Sequence, residues 1–152
     1  MKTIGQILKD RDIVGLREDA SVLDAARSMA EHHVGAIMVT DMDGGPVGIF
    51  TERDLMLRVV VAGLDPSVER LHTHMTRKLY TADPGMPVNK VAQELQTRHI
   101  RHLPVVADER VVGMLSLRDL LAARLESTTK EVTALTEYIQ GSPTEEPKSA
   151  AS

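Results

Sequence analysis

The sequence contains no cysteine, which excludes disulfide bonds, thiol catalysis and cysteine-based zinc sites. Aromatic residues are scarce, since there are only one phenylalanine and two tyrosines, and platforms for stacking nucleic-acid bases are therefore poorly supplied. The net charge of −4 shows that the chain also lacks the basic excess that a phosphate backbone attracts. We expect no nucleic-acid partner.

Long apolar runs are absent as well. No stretch approaches the ~18 consecutive apolar residues of a membrane span, and residues 1–10 lack the apolar segment of a signal peptide. Hydrophobic residues still make up 42% of the 152 residues, enough for one compact domain or two small subdomains that share a core. The sequence therefore predicts a folded cytoplasmic protein with no membrane partner.

One short phrase occurs twice in the chain. Residues 47–55 reappear as residues 112–120, with five of nine positions identical. In each copy an apolar run ends in a hydroxyl residue, and an aspartate follows three positions later. These residues are Thr51 and Asp54 in the first copy and Ser116 and Asp119 in the second. This pattern is typical of a strand that leads directly into a capped helix, and an internal repeat constrains the architecture.

The similarity extends upstream of the phrase in both copies. An apolar stripe at helical spacing follows Ser21 in the first copy and Pro87 in the second. A β-hairpin should follow each helix, and its second strand is the start of the repeated phrase. Short first strands are expected at residues 13–16 and 79–82. Each unit is therefore predicted to be β-α-β-β-α, and Gly63 should end the last helix of the first copy.

A three-stranded sheet of this size cannot bury both faces alone, so the two units should pack about a pseudo-twofold axis as an α/β fold of the α+β type. We expect repeat one at residues 1–66, repeat two at 67–125, a helical extension at 126–140 and a disordered tail at 141–152. The extension carries apolar residues at helical spacing, although residues 127–129 weaken its helix propensity. It should cap the core or a partner.

The repeated unit resembles the CBS domain, a module named after cystathionine β-synthase and found as tandem pairs. Both copies of the phrase match the family signature, in which glycine, two apolar residues and Thr or Ser are followed three positions later by Asp. Residues 101–106 are similar to the family's His-Leu-Pro-Val-Val strand, and residues 35–39 are a looser version. The resemblance covers about residues 1–124 and is to bacterial pairs that stand alone, without a catalytic domain.

The resemblance implies an adenosine-containing ligand such as AMP, ADP or ATP, bound between the repeats. In such pairs the hydroxyl residue lies near a phosphate, the aspartate holds the ribose, and adenine occupies an apolar slot of the first-strand region. The implied role is regulatory, through a conformational change that a protein partner recognises, and the pair is expected to be a homodimer. We expect no enzyme activity and no cofactor. The sequence does not indicate which partner is regulated.

The two clefts should not be equal. Arg101 and His102 precede a strand of the second copy, where family members often carry basic residues that contact phosphate. Gly35 stands in the equivalent region of the first copy and offers no charge, although we include it among the ligand-binding residues. The cleft around Ser116 and Asp119, here called the Asp119 cleft, is therefore the first candidate. The cleft around Thr51 and Asp54, the Asp54 cleft, is the second.

Three further residue sets complete the predicted site. The adenine slot should come from residues 14–19 in the Asp119 cleft and from residues 80–86 in the Asp54 cleft. Arg118 lies in the first helical turn, where a cation is mildly unfavourable to the helix dipole, and is a candidate anion ligand. The open alternative for Arg101 is a solvated arginine at the end of a strand, and for Arg118 it is an exposed arginine paired with a nearby Asp or Glu.

The hydroxyl–aspartate pairs also have a complete structural explanation. A hydroxyl at the N-cap and an acid three positions later form a capping box, which stabilises a helix by about 0.5–2 kcal/mol without any ligand. The second functional hypothesis is therefore a ligand-independent dimeric interaction protein. Three local histidine clusters are present, but no carboxylate or cysteine completes an evident ligand set, and we expect no metal.

Overall fold

The computed structural model describes residues 2–8 and 13–140. The tail predicted at residues 141–152 lies outside the described residues. In chain order the elements are α1 (Ile4–Ile7), β1 (Gly15–Arg17), α2 (Val22–His32), β2 (Ala36–Thr40), β3 (Pro46–Thr51), α3 (Glu52–Asp54) with a π-helical continuation (Leu55–Val60), α4 (Leu71–His74), α5 (Val88–Arg98), β4 (His102–Ala107), β5 (Arg110–Ser116) and α6 (Leu117–Gln140).

The first repeat contains a three-stranded sheet in the order β1-β2-β3. Strand β1 runs parallel to β2, and β2 pairs with β3 in an antiparallel hairpin. Helix α2 begins at Ser21, whose side chain accepts a hydrogen bond from the amide of Asp24 at 3.0 Å. Its buried face supplies Val22, Ala25 and Met29 to the core. The mixed helix-and-strand class predicted from the repeat is confirmed.

The second repeat has only two strands, because the strand predicted at residues 79–82 does not form. Strands β4 and β5 make an antiparallel hairpin. Beside it, Ala82 forms a single parallel bridge with Val105. The amide of Ala82 donates to the carbonyl of Pro104 at 3.1 Å, and the amide of Val106 donates to the carbonyl of Ala82 at 2.9 Å.

Two prolines explain the missing strand. In the first repeat, backbone bonds from Met38 to Val14 and from Glu18 to Thr40 support the two ends of the β1 pairing. The residues equivalent to the two donors, Met38 and Glu18, are Pro104 and Pro84 in the second repeat. Proline has no backbone N–H and cannot donate either bond. The second repeat therefore keeps the bridge between Ala82 and Val105 and loses the backbone hydrogen bonds on both sides of it.

The helices after the repeated phrase differ in length. In the first repeat the helical segment extends to Val60, and Gly63 adopts the left-handed conformation predicted for it, with φ 74°. In the second repeat α6 continues without a break from Leu117 to Gln140. The expected boundary at residues 125/126 therefore falls inside one helix. The hydroxyl of Thr129 donates to the carbonyl of Leu125 at 2.9 Å, a bond within the helix that leaves the helix unbroken.

The two hydrophobic cores are not contiguous in sequence. Ile4, from the start of the chain, is fully buried in a core made with second-repeat residues such as Leu95 and Leu120. Leu71, from the connector, is fully buried in a core made with first-repeat residues such as Phe50. The two repeats have therefore exchanged their leading segments, residues 2–8 and 69–76. The boundary at residues 66/67 stays a prediction, and the first core reaches across it through Leu71.

Matched backbone hydrogen bonds hold the exchanged segments in place. On the second repeat the bonds run from Ile4 to Met86 (2.8 Å), from Gly5 to Pro84 (2.7 Å) and from Val88 to Lys2 (3.0 Å). On the first repeat they run from Leu71 to Ala20 (3.0 Å), from His72 to Glu18 (2.9 Å) and from Val22 to Glu69 (2.9 Å). Each bond in one set has a counterpart at the equivalent position in the other. The exchange is therefore a pseudo-symmetric feature of the fold.

The glycines of the repeated phrase are explained by this exchange. A Cβ atom on Gly48 would lie 2.8 Å from the sulfur of Met75 and 2.9 Å from the carbonyl oxygen of Thr76. A Cβ atom on Gly113 would overlap the terminal methyl groups of Leu8. Strands β3 and β5 thus need glycine because an exchanged segment lies directly on each of them.

Substitution of these glycines should show which contact is rigid. We expect Gly48→Ala to lower the free energy of unfolding by about 1–3 kcal/mol, because the Thr76 carbonyl also accepts the Ile49 amide and cannot shift freely. Gly113→Ala should cost less, since the side chain of Leu8 can rotate away. Urea unfolding of both variants measures the difference, and an equal or smaller loss for Gly48→Ala would contradict this explanation.

Candidate functional site

Reciprocal hydrogen bonds close both strand–helix junctions. The Thr51 amide donates to Oδ2 of Asp54 at 3.1 Å, and the Asp54 amide donates to Oγ1 of Thr51 at 3.1 Å. At the second junction the Ser116 amide donates to Oδ2 of Asp119 at 2.9 Å, and the Asp119 amide donates to Oγ of Ser116 at 3.0 Å. Both pairs are capping boxes. The structural part of the sequence interpretation therefore holds at each junction.

A third backbone bond fixes what lies beside each junction. The Glu52 amide donates to the carbonyl of Gly35 at 3.0 Å, and the Leu117 amide donates to the carbonyl of Arg101 at 2.7 Å. In both repeats the first helical amide thus bonds the residue just before the hairpin. This bond places the backbone of Arg101 next to the junction of Ser116. The ranking of the two clefts stays a prediction.

The two aspartates differ in how many partners they have within the fold. Asp54 is buried, with 8% of its surface exposed. Nε of Arg58 lies 3.5 Å from its Oδ1, and the hydroxyl of Thr76 lies 3.4 Å from both of its carboxylate oxygens. Arg58 also donates to the carbonyl of His74 at 2.9 Å. Asp54 therefore helps to fasten the exchanged segment to the first repeat.

Asp119 has fewer partners. Its side chain is half-buried, and Oδ2 accepts the Ser116 amide. Within the described part of the chain, no other hydrogen bond or ion pair reaches this carboxylate. The residue equivalent to Arg58 is Ala123, which has no charge to offer. Among the described residues, Oδ1 of Asp119 therefore has no partner and can accept a further hydrogen bond. The sequence already indicates this difference between the two aspartates, because an arginine four residues after an aspartate on a helix can pair with it.

The repeats meet at Gly35. A Cβ atom placed on this residue would lie 3.1 Å from Nε2 of His102 and 3.2 Å from Oε1 of Glu52. A side chain at Gly35 would therefore displace His102 from the first-repeat junction. Glu52 was not among the predicted site residues. The sequence could have indicated it, because the equivalent residue of the second copy is the uncharged Leu117.

Burial lowers the pKa of His102. Desolvation is the largest cause, the nearby positive charge of Arg101 acts in the same direction, and the carboxylates of Glu52 and Asp119 oppose the shift. His102 is therefore neutral near pH 7 and can offer one ring N–H to a ligand. Arg101 and Arg118 are exposed, and neither forms an ion pair with another described residue.

The predicted adenine slots have different surroundings. A surface depression of about 510 Å³ includes four residues of the predicted slot at 14–19. Its lining consists of Gly15, Leu16, Arg17, Asp19, Ala20 and Thr40 and does not include the Asp119 junction. In the other slot, predicted at residues 80–86, the hydroxyl of Tyr80 donates to Glu94, and the guanidinium of Arg98 lies 4.8 Å from the ring centroid. This tyrosine is therefore engaged with α5.

The histidines of the local clusters have structural positions. Nε2 of His74 lies 2.8 Å from Oε2 of Glu69, and His33 and His99 end equivalent helices with φ 55° and 57°. Over residues 2–8 and 13–140, no group of three or more histidines, aspartates or glutamates is placed to hold a metal ion. None of the helices described is long and apolar enough to cross a membrane.

The fold and the junctions define a class of protein, a pseudo-symmetric pair of α+β repeats with a capped strand–helix junction in each repeat. The family model of the CBS domain matches residues 4–61 and again residues 68–126. The chain therefore belongs to the CBS domain family, and its two repeats form a CBS pair. Proteins of this kind are regulatory.

Relatives support this assignment. The chain is 35% identical over 127 residues to the mitochondrial CBS domain-containing protein CBSX3 of Arabidopsis thaliana, which covers 81% of this chain and 62% of the relative. The chain thus spans about three fifths of that protein. A CBS-domain protein of Agrobacterium tumefaciens has a TM-score of 0.76 at 31% identity, covering 81% of this chain and 99% of its own. A CBS domain protein of Pyrobaculum aerophilum, solved in complex with AMP, has a TM-score of 0.73 at 32% identity, with 84% and 98% covered.

Stability measurements should separate the two junction aspartates. We expect Asp54→Ala to lower the free energy of unfolding by about 2–4 kcal/mol, because it removes a capping bond and leaves Arg58 and Thr76 without their carboxylate. Asp119→Ala should cost only about 0.5–2 kcal/mol, the range for a lost cap. Urea titrations of both variants measure these values. A larger loss for Asp119→Ala would show that its carboxylate has structural partners after all.

The lowered pKa of His102 predicts a pH dependence. Between its folded pKa and the ordinary value near 6.5, the unfolded chain binds more protons than the folded chain, so stability falls as the pH drops through 6.5. We expect His102→Gln to weaken this loss, measured as the difference in urea unfolding between pH 7.5 and about 5.5. His99→Asn is the control, because His99 is exposed and asparagine tolerates its left-handed backbone. An unchanged pH dependence in His102→Gln would refute the assignment.

Proposed function

We propose that this CBS pair is a regulatory module that binds an adenosine-containing ligand, such as AMP, ADP or ATP, in the Asp119 cleft. The observation that carries the proposal is that Oδ1 of Asp119 has no hydrogen-bond partner among the described residues, whereas the rest of the junction is occupied by its own capping bonds. A carboxylate oxygen beside a helix N-terminus is suited to accept a ribose hydroxyl. Asp54, the equivalent acid, already has Arg58 and Thr76 as partners.

The residues around Asp119 suit the rest of such a ligand. The hydroxyl of Ser116 accepts a backbone amide and can still donate its own proton to a phosphate oxygen. Arg101 is exposed beside the same junction and supplies a positive charge, while His102 supplies a neutral ring N–H. Arg118 lies in the first turn of α6 and is a further phosphate contact in this proposal.

The remaining predicted residues have supporting roles. Gly35 leaves the space that His102 occupies against the first repeat. Residues 14–19, next to an open depression, would receive the adenine. Thr51 and Asp54 form the second cleft, which we propose to be weaker because a ligand there would compete with Arg58 for the carboxylate. The AMP complex of the Pyrobaculum aerophilum relative supports this choice of ligand class.

The proposed signal is a change in population rather than chemistry. A ligand that contacts Asp119 of the second repeat and residues 14–19 of the first would favour arrangements in which these repeats lie close together. A partner protein that binds that arrangement better would then sense the ligand. The proposal includes a homodimer and assigns no catalytic step to the chain.

The second candidate function is a dimeric interaction protein that needs no ligand. Its support is the completeness of both capping boxes, which explain Thr51, Ser116 and both aspartates without a nucleotide. In this alternative the lack of partners at Oδ1 of Asp119 means only that the atom is hydrated.

Calorimetric titration with AMP, ADP and ATP distinguishes the two functions. We expect at least one of them to bind, and Asp119→Ala to weaken that binding by at least about tenfold, since a charge-assisted hydrogen bond is lost. Asp54→Ala is the matched control, because it removes the equivalent acid. Compared with Asp119→Ala, it should lower the free energy of unfolding more and the nucleotide affinity less.

Two results would contradict the sensor proposal. One is the absence of any binding or thermal stabilisation at millimolar nucleotide. The other is an equal loss of affinity in Asp119→Ala and Asp54→Ala, which would contradict the assignment of the ligand to the Asp119 cleft.

A further inference from the structure

The second half of α6 has an unpartnered apolar stripe. The last buried residue of this helix is Ala123, yet the helix continues to Gln140 and so projects by about 25 Å. Four large apolar side chains on this projection are 59–68% exposed: Leu125, Val132, Leu135 and Ile139. The sequence predicted that this extension caps the core or a partner. Since none of these four side chains is buried by the core, a partner remains.

The spacing of the stripe specifies the kind of partner. Its positions are separated by steps of four, three, four, three and four residues: Leu121, Leu125, Thr128, Val132, Leu135 and Ile139. These alternating steps match the a and d positions of a heptad, and a stripe limited to those positions is the narrow seam of a coiled coil rather than the broader apolar face of a core helix. The partner should therefore be another helix that packs along the full length of the seam.

The residue types at the seam indicate its number of strands. The a positions are Leu125, Val132 and Ile139, and the d positions are Leu121, Thr128 and Leu135. Two of the three a positions are β-branched and two of the three d positions are Leu, and in a parallel coil this combination favours two strands. We propose that α6 pairs in parallel with α6 of a second copy of this chain, so that each seam residue lies opposite itself.

The flanking residues are compatible with self-pairing. The e positions are Ala122, Thr129 and Thr136, none of which is charged. The hydroxyls of Thr129 and Thr136 donate to carbonyls of their own helix, each at 2.9 Å. In a parallel coil the charged g residues Arg124 and Glu131 therefore face neutral neighbours. Self-pairing brings no like charges together, and no charge pattern selects a different helix.

The helix itself needs such a partner. Residues 127–129 are Ser-Thr-Thr, which have low helix propensity. The ion pair between Lys130 and Glu126 at 3.2 Å is exposed and adds little. Most helical stability in proteins comes from packing of an apolar face. The coiled coil supplies that packing, and it specifies the homodimer proposed above without depending on nucleotide binding.

Single-cysteine cross-linking tests the pairing directly, because the chain has no cysteine of its own. We expect Leu135→Cys to form an intermolecular disulfide under mild oxidation at least about tenfold faster than Glu137→Cys, since only a seam position brings the two copies within disulfide reach. Glu137 lies in the same helical turn but on the outer face, and is the matched control. Equal rates for the two variants would overturn the proposal.

Direction and strength are tested separately. A mixture of Leu121→Cys and Ile139→Cys chains should give little mixed cross-link, whereas rapid mixed cross-linking without a Leu135→Cys disulfide would show an antiparallel pair and overturn the assignment. In sedimentation equilibrium, Leu135→Asn should raise the dissociation constant of the dimer by at least about tenfold, and Glu137→Asn should leave it within about twofold. A dimer that both variants leave unchanged would retain the proposed homodimer but refute this seam.

Discussion

The exchange of leading segments between the two repeats is the constraint on which most of the structure depends. Neither core is complete without the short helix that precedes the other repeat in the sequence, since Ile4 fills the second core and Leu71 the first. The exchange explains the glycines at positions 48 and 113, since an exchanged segment lies directly on each of these two strands. It also forces the repeats to fold as one unit, because unfolding either repeat exposes an apolar residue that the other supplies.

The same exchange makes the two junctions chemically different. In the first repeat the incoming segment is fastened by Arg58 and Thr76, and both use the carboxylate of Asp54. The second repeat has Ala123 at the position equivalent to Arg58, so Asp119 has no corresponding arginine to hold. One repeat thus uses its aspartate to hold the fold together, while the other leaves an acceptor open. A duplicated motif can divide stability and binding between its copies in this way.

The sequence was sufficient for the repeat, the fold class, the family and the capping residues, because each leaves a local pattern. Two differences between the copies are also visible in the sequence and predict structural differences between the repeats. Pro84 and Pro104 replace donors of the first repeat and remove a strand, and Arg58 stands four residues after Asp54. The exchange of segments and the contact of His102 with Gly35 could not be predicted from the sequence, because they join residues that are far apart along the chain and leave no periodic pattern.

Helix α6 connects the two proposed binding events. It begins immediately after Ser116, carries Asp119 in its first turn and continues as one helix to the last residue of the seam at Ile139. A ligand that orders the start of this helix and a second copy that packs along its end would therefore act on the same element. If they favour the same orientation of the helix, each must strengthen the other by the same factor, because linkage between binding free energies is reciprocal. The single unbroken helix would make the proposed nucleotide binding and the proposed self-association parts of one equilibrium.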